Sequence, residues 1–139
     1  MPRVVQLLPA AALASAMILV PALAAAQPSP DALWAADATA YRNKPDQQVT
    51  YFCPSVPTLP GNAVWGSGPY TDDSSICVAA VHAGYITPQD GGTVTIMLTG
   101  PQDSFAGTER NGVSTFEYGA WEGSFAFVGE PSVITPTKG

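Results

Sequence analysis

Positive charge is what this chain of 139 residues has least of: five Lys/Arg stand against eleven Asp/Glu and a single histidine, for a formal net charge of −6. A surface of that sign repels phosphates at long range, which argues against nucleic acid and anionic lipid as partners. Cysteine is scarce as well. The two present, Cys53 and Cys77, make no C-x-x-C redox motif and no zinc-ligand set. The G-x-S-x-G elbow of a hydrolase is missing, as is the D-x-D-x-D-G loop of a calcium site. No internal repeat is present, and no cofactor is implied.

What is present begins with an apolar run from Leu7 to Ala26 behind Arg3, broken by Pro21 and closed by Ala24 and Ala26 in an A-x-A pattern. That is the layout of a bacterial-type export signal, so residues 1–26 are expected to be a signal peptide cleaved after Ala26. The run is also long enough, at roughly 20 residues, to serve as an uncleaved anchor. The expected product is periplasmic or secreted, with no membrane insertion after cleavage. In an exported chain an even cysteine count reads as a disulfide between Cys53 and Cys77. Two free buried thiols are the alternative.

The remainder divides into a leader (27–48), a domain (49–129) and a tail (130–139). In the leader, Asp31 is placed to cap a short helix holding Leu33, Trp34 and Ala38, and Pro45 ends any such helix. Residues 49–53 have strand composition, and residues 63–66 read as a short strand or edge. DDSSICVAAVHAG, residues 72–84, reads as a helix. Asp73 or Ser74 caps it, and the acidic start suits the positive end of its dipole. Ile76, Cys77, Val78, Ala79, Ala80, Val81 and Ala83 leave almost no polar face, which is the mark of a buried helix. Gly84 is placed to end it in the left-handed conformation. Residues 93–98 alternate strictly, with Val94, Ile96 and Leu98 on one face. Asn111-Gly112 is a tight-turn signal, residues 113–121 form a short extended segment, and Phe125 and Phe127 share one face of a last strand. The fold class expected is α+β with β dominant: antiparallel strands joined by hairpin-length connections and wrapped around one central buried helix.

Several residues invite a chemical role. His82 with Ser74, Ser75 and Asp72 has the composition of a catalytic triad, but Ser75 and His82 on a helix stand about 10 Å apart along its axis. A histidine in a last helical turn more commonly interacts with the final carbonyls. Asp72 and Asp73 with Asp90 or Asp103 resemble calcium ligands, although helix capping accounts for the first two. Glu109, Glu117 and Glu122 lie in separate loops, and their separation decides whether any two form a sugar-cleaving pair. Trp65, Tyr70, Tyr118 and Trp121 flank turns and suit stacking on sugar rings as well as core packing. Arg110 and Asn111, in a polar loop with Glu109, suit ligand contact or an internal ion pair and turn.

Four segments in order carry a resemblance to a known family: YFCP at 51–54, VWGSGPYTDDSSICVAAVHAG at 64–84, GGTVTI at 91–96 and ERNGVSTFEYGAWEGSFAF at 109–127. In these the chain resembles the LCCL family of extracellular modules, and most closely its short exported single-domain bacterial members. The resemblance implies antiparallel strands around a central helix. Animal members carry four cysteines in two bridges, with a C-P-G-G-C cluster supplying one partner for the SSIC cysteine. Here Cys53-Pro54-Ser55-Val56-Pro57 retains only one cysteine. The resemblance also implies binding of lipopolysaccharide or another glycan, or a matrix role, and it assigns no catalytic residues. The expectation is therefore a non-catalytic module recognising an envelope glycan or an exported protein. A structural or assembly protein of the envelope, and a hydrolase using loop carboxylates, are the alternatives.

Overall fold

The structure is a computed structural model that describes residues 27–131. The expected signal peptide, and the tail beyond 131, lie outside those residues. Helix α1 (Pro30–Ala35) is followed by a 3-10 turn at Thr39–Tyr41 and by strands β1 (Gln48–Cys53) and β2 (Tyr70–Thr71). Then come helix α2 (Ile76–His82) and strands β3 (Gly92–Leu98), β4 (Glu109–Arg110), β5 (Val113–Ser114) and β6 (Ser124–Phe127).

Four strands form an antiparallel sheet in the order β1-β3-β6-β2. No neighbours in that sheet are consecutive in sequence, so long connections join them all. The antiparallel arrangement is as expected, but hairpin-length connections are not its cause. The β4–β5 pair is the one hairpin among the described strands, and it turns through Asn111 and Gly112 at φ 54° and 79°. Both residues take the left-handed conformation that a two-residue hairpin of this twist needs.

Alternation decides which face of the sheet is buried. Val94, Ile96 and Leu98 of β3 point inward. They stand opposite Tyr51, Val49 and Phe125, and Ile96 also meets Phe127. Phe127 packs on Phe125, Tyr70 and Tyr85. The outward face is more polar, with Thr50 and Thr95 paired through their hydroxyls at 3.1 Å.

Helix α2 is buried along its whole length, from Ile76 to His82. Ala79 and Ala80 contribute no bulk, so surrounding elements close tightly on it. Its first turn is satisfied from outside as well as inside. Ser75, not Asp73 or Ser74, is the cap: its Oγ accepts from the Val78 amide at 3.1 Å and donates to the Trp34 carbonyl at 2.6 Å. The Ile76 amide donates to the Ala36 carbonyl at 3.0 Å. Ser74 is unavailable for capping because its hydroxyl is held by Trp65 and Thr71. Gly84, at φ 86°, ends the helix.

Those contacts tie the segment expected as a leader to helix α2. Trp34 and Ala38 lie in the core, and Trp34 Nε1 donates to the Pro54 carbonyl at 2.8 Å. Helix α1 is capped by Ser29 rather than Asp31, with Pro30 at its first position, and it ends at Ala35, before Ala38. Residues 63–66 make isolated bridges, Trp65 to Phe116 and Gly66 to Tyr70, in place of a strand.

Cys53 and Cys77 form a disulfide that ties the end of β1 to the first turn of α2, with Cα atoms 5.7 Å apart across 24 residues of sequence. In the chain-entropy account a closed loop of that size contributes about 3 kcal/mol. Replacing both cysteines by alanine is therefore expected to lower the unfolding free energy by about that amount. Urea titration measures it, and an unchanged midpoint would show that the bridge contributes nothing.

Candidate functional site

The run Asp72-Asp73-Ser74-Ser75 precedes α2, and each of its four side chains has a different task. Ser75 caps the helix. Ser74 Oγ accepts from the Trp65 amide at 2.9 Å and contacts the Thr71 hydroxyl at 2.8 Å, which holds the chain on either side of the 66–70 loop. Asp72 is fully buried, and Asp73 is half-buried at the surface above it.

The Asp72 carboxylate accepts three hydrogen bonds: from Arg42 Nε at 2.7 Å, Arg42 Nη2 at 2.8 Å and Trp121 Nε1 at 2.9 Å. Arg42 also donates from Nη1 to Glu122 at 2.8 Å, and its Cζ lies 5.3 Å from the Trp121 ring centroid. The guanidinium is thus bidentate on Asp72 while stacked on an indole, an arrangement a lysine does not reproduce. Burial opposes ionisation of Asp72. The hydrogen bonds from Arg42 and Trp121, together with the charge of Arg42, outweigh it and hold the carboxyl below its ordinary value.

Trp121 is fixed in this way against a cleft of about 190 Å³ lined by Trp65, Thr71, Asp73, Tyr118 and Trp121. Tyr118 and Trp121 rings stand 5.6 Å apart at 86°. Reciprocal backbone bonds pin both, Tyr118 to Phe105 and Trp121 to Gln102. Trp65 has Phe116 beside it, with ring centroids 6.1 Å apart. Tyr118 is 46 % exposed, so this wall of the cleft is open to solvent. Of the six residues expected as ligand contacts, Trp65, Tyr118 and Trp121 therefore come together.

The other three do not join them. Tyr70 is 2 % exposed and belongs to the core, where its hydroxyl meets His82 Nδ1 at 2.8 Å. Asn111 donates from Nδ2 to the His82 carbonyl at 2.9 Å, so it satisfies a helix-end acceptor. Arg110 reaches the Ser67 carbonyl at 3.3 Å, on a separate and more open depression that it shares with Tyr85 and Phe127. His82 itself does not contact the last carbonyls through its ring. It lies between the hydroxyls of Tyr70 and Thr108, the latter 3.0 Å from Nε2, where a neutral ring donates on one side and accepts on the other. Ser74 and Ser75 are committed to other partners, so no triad forms with His82.

Arg42 and Thr71 belong to the site without any local pattern announcing them. Arg42 meets Asp72 across 30 residues and Glu122 across 80. The available signal is its rarity, since an arginine in so acidic a chain has many carboxylates to choose from. Glu122 is engaged by Arg42, while Glu109 and Glu117 are exposed on other segments. Among the described residues, no three His, Cys, Asp or Glu side chains are grouped so as to hold a metal ion, and no helix is long and apolar enough to cross a membrane.

The family model for the LCCL domain matches residues 31–125. Clotting factor C of Tachypleus tridentatus is 37 % identical over 81 residues, covering 58 % of this chain and 8 % of that protein. Human cysteine-rich secretory protein LCCL domain-containing 2 is 41 % identical over 64 residues, covering 46 % of this chain and 13 % of the other. Mouse cochlin is 31 % identical over 80 residues, covering 58 % and 14 %. The chain thus spans 8–14 % of the length of these relatives.

Removing Arg42 leaves a buried carboxylate uncompensated, whereas Asp72→Asn leaves behind a cation that is partly solvated. Arg42→Met is expected to cost about 3 kcal/mol and to exceed Asp72→Asn, a ranking that urea unfolding measures. Because the folded Asp72 value is depressed, its contribution is complete above the ordinary 3.8 and is lost as pH falls through the folded value. Asp72→Asn should lack that acid limb.

Burial and, next, the charge of Arg110 lower the His82 value below 6.5, with a smaller opposing effect from Thr108. The unfolded chain then binds the proton first, so stability falls as pH drops below about 6.5 until the folded value is passed. The single histidine makes its imidazole NMR titration unambiguous. An apparent pKa above 6.5 would contradict the buried neutral ring.

Proposed function

The chain belongs to the LCCL family, and we propose that it is a non-catalytic binding module of the oxidising space outside the cytoplasm, whose ligand seats in the aromatic cleft. The observation that carries this reading is the convergence of Trp65, Tyr118 and Trp121, from two distant stretches of chain, on one concave site beside Asp73. Rigid aromatic walls with a few polar groups are the usual make-up of a ligand site. The backbone bonds that pin all three residues mean that little ordering entropy is lost when a ligand enters.

The ligand class proposed is an envelope glycan or an exported polypeptide. Aromatic faces suit either one. The disulfide supports an extracytoplasmic location, because such bonds persist where thiols are not kept reduced. So does the word secretory in the name of the human relative. An anionic lipopolysaccharide headgroup fits the cleft poorly. Its lining includes the acidic residue Asp73, and the nearby Arg42 is already bound to Asp72 and Glu122.

NMR shift mapping with soluble peptidoglycan fragments, neutral polysaccharides and lipopolysaccharide is the direct test. Binding is expected to move resonances of residues 65, 71, 73, 118 and 121 first. Trp34, buried in the core, should stay still as an internal control. A ligand that shifted only the surface around Arg110 would overturn the assignment of the cleft.

A further inference from the structure

Resting on that reading, we infer that the group seated in the cleft is an alkylated ammonium cation carried by the ligand. Four observations converge on this chemistry. The walls are π-systems: Tyr118 and Trp121 lie nearly perpendicular and so bound the space in two directions, and Trp65 lines it as well. An ammonium group near such rings is attracted by their quadrupoles, and enclosure by several rings is how alkylated ammonium groups are commonly recognised.

The second observation is charge. Asp73 lines the cleft, and no described residue gives its carboxylate a hydrogen bond or a salt bridge, although its charge is felt by the Arg42 guanidinium. The Arg42 guanidinium, stacked on Trp121, is surrounded by Asp72, Glu122 and Asp73, three carboxylates to one cation. The neighbourhood is therefore negative despite the arginine, and it attracts a cation rather than an anion.

The third is the small number of free polar groups. Trp121 Nε1 is committed to Asp72 and the Thr71 hydroxyl to Ser74, which leaves the Trp65 indole N–H, the Tyr118 hydroxyl and the Asp73 carboxylate. A sugar ring brings many hydroxyls that need partners, whereas an ammonium bearing carbon substituents needs little beyond charge and apolar contact. The fourth is size. At about 190 Å³ the cleft is smaller than the roughly 300–1,000 Å³ of sites that enclose a whole drug-sized ligand. It suits a headgroup protruding from a larger molecule.

The test titrates the full chain with choline and with a peptide bearing trimethyllysine, which separates a small or lipid-borne source from a polypeptide one. The uncharged choline analogue 3,3-dimethylbutan-1-ol and sodium chloride serve as controls. Tryptophan emission and shift mapping read the response. At least one cation is expected to bind at residues 65, 73, 118 and 121, and to bind about tenfold more tightly than the neutral analogue. Asp73→Asn, which removes no internal hydrogen bond or salt bridge, should cost about the same factor, and Trp65→Leu should weaken binding with the carboxylate intact. Equal affinity for the neutral analogue, or an unaffected Asp73→Asn variant, would overturn the inference. A neutral glycan that shifts the cleft where neither cation does would sink this inference and leave the binding reading standing. Silence of the cleft toward cations and glycans alike would sink this inference together with the glycan form of the binding reading.

Discussion

The arrangement around α2 depends on one buried charge. The Asp72 backbone amide donates to the Gly123 carbonyl, its carbonyl accepts from the Ala38 amide, and its carboxylate takes up Arg42 and Trp121. The segment after α1, the approach to α2 and the entry to β6 therefore meet at one residue. An ion so deeply buried is tolerable only with its lone pairs occupied, and here three charge-assisted or indole donors occupy them. The packing is close enough that Gly123 has no room for a side chain, because a Cβ there would meet the Asp72 carboxylate. That glycine is required by a neighbour's bulk and not by backbone conformation.

This junction explains why a wholly apolar helix and an aromatic surface cleft occur side by side. Helix α2 provides the interior against which the disulfide, α1 and the sheet all close. The four residues before it carry the transition from that interior to solvent. Ser75 faces the helix and α1, Ser74 the 66–70 loop, Asp72 the buried arginine, and Asp73 the cleft. Trp121 spans both sides of the boundary, its indole N–H anchored to the buried carboxylate while its ring forms a wall of the cleft. A cleft wall held by such an anchor is fixed in place without being on a helix or a strand.

The elements legible in the sequence are those whose signal is local. Strict alternation gave β3 and its inward face, composition marked β1 and β6, and an unbroken apolar run marked α2 as buried. Asn111-Gly112 gave the hairpin. The resemblance to a family gave the class of fold. What was not legible depends on partners far apart in the chain. Ser74 and Ser75 are chemically identical neighbours, and only the position of Trp65 decides which of them is free to cap. Trp34 reads as part of a leader until Pro54 and Ser75 appear opposite it. Tyr70 and Tyr118 both flank turns, yet one packs against His82 and Phe125 while the other faces solvent. Aromatic residues near turns carry no mark that separates the two fates.

Net charge fixes less about the ligand than the way each charge is spent. The three cations among the described residues are all engaged: Arg42 with two carboxylates and an indole, Lys44 5.9 Å from the Tyr41 ring centroid, and Arg110 at the Ser67 carbonyl. An anion arriving at the cleft would have to compete with Asp72 and Glu122 for Arg42. Breaking a buried pair leaves Asp72 uncompensated, at a cost of several kcal/mol that a surface contact does not return. Asp73 is different, because no internal hydrogen bond or salt bridge has to be given up before it meets a ligand. The acidic balance of the whole chain only disfavours anions in general, over distances that salt screens. The commitment of Arg42 to Asp72 and Glu122, set against an Asp73 carboxylate that holds no hydrogen bond or salt bridge, is what gives the cleft a sign at contact range.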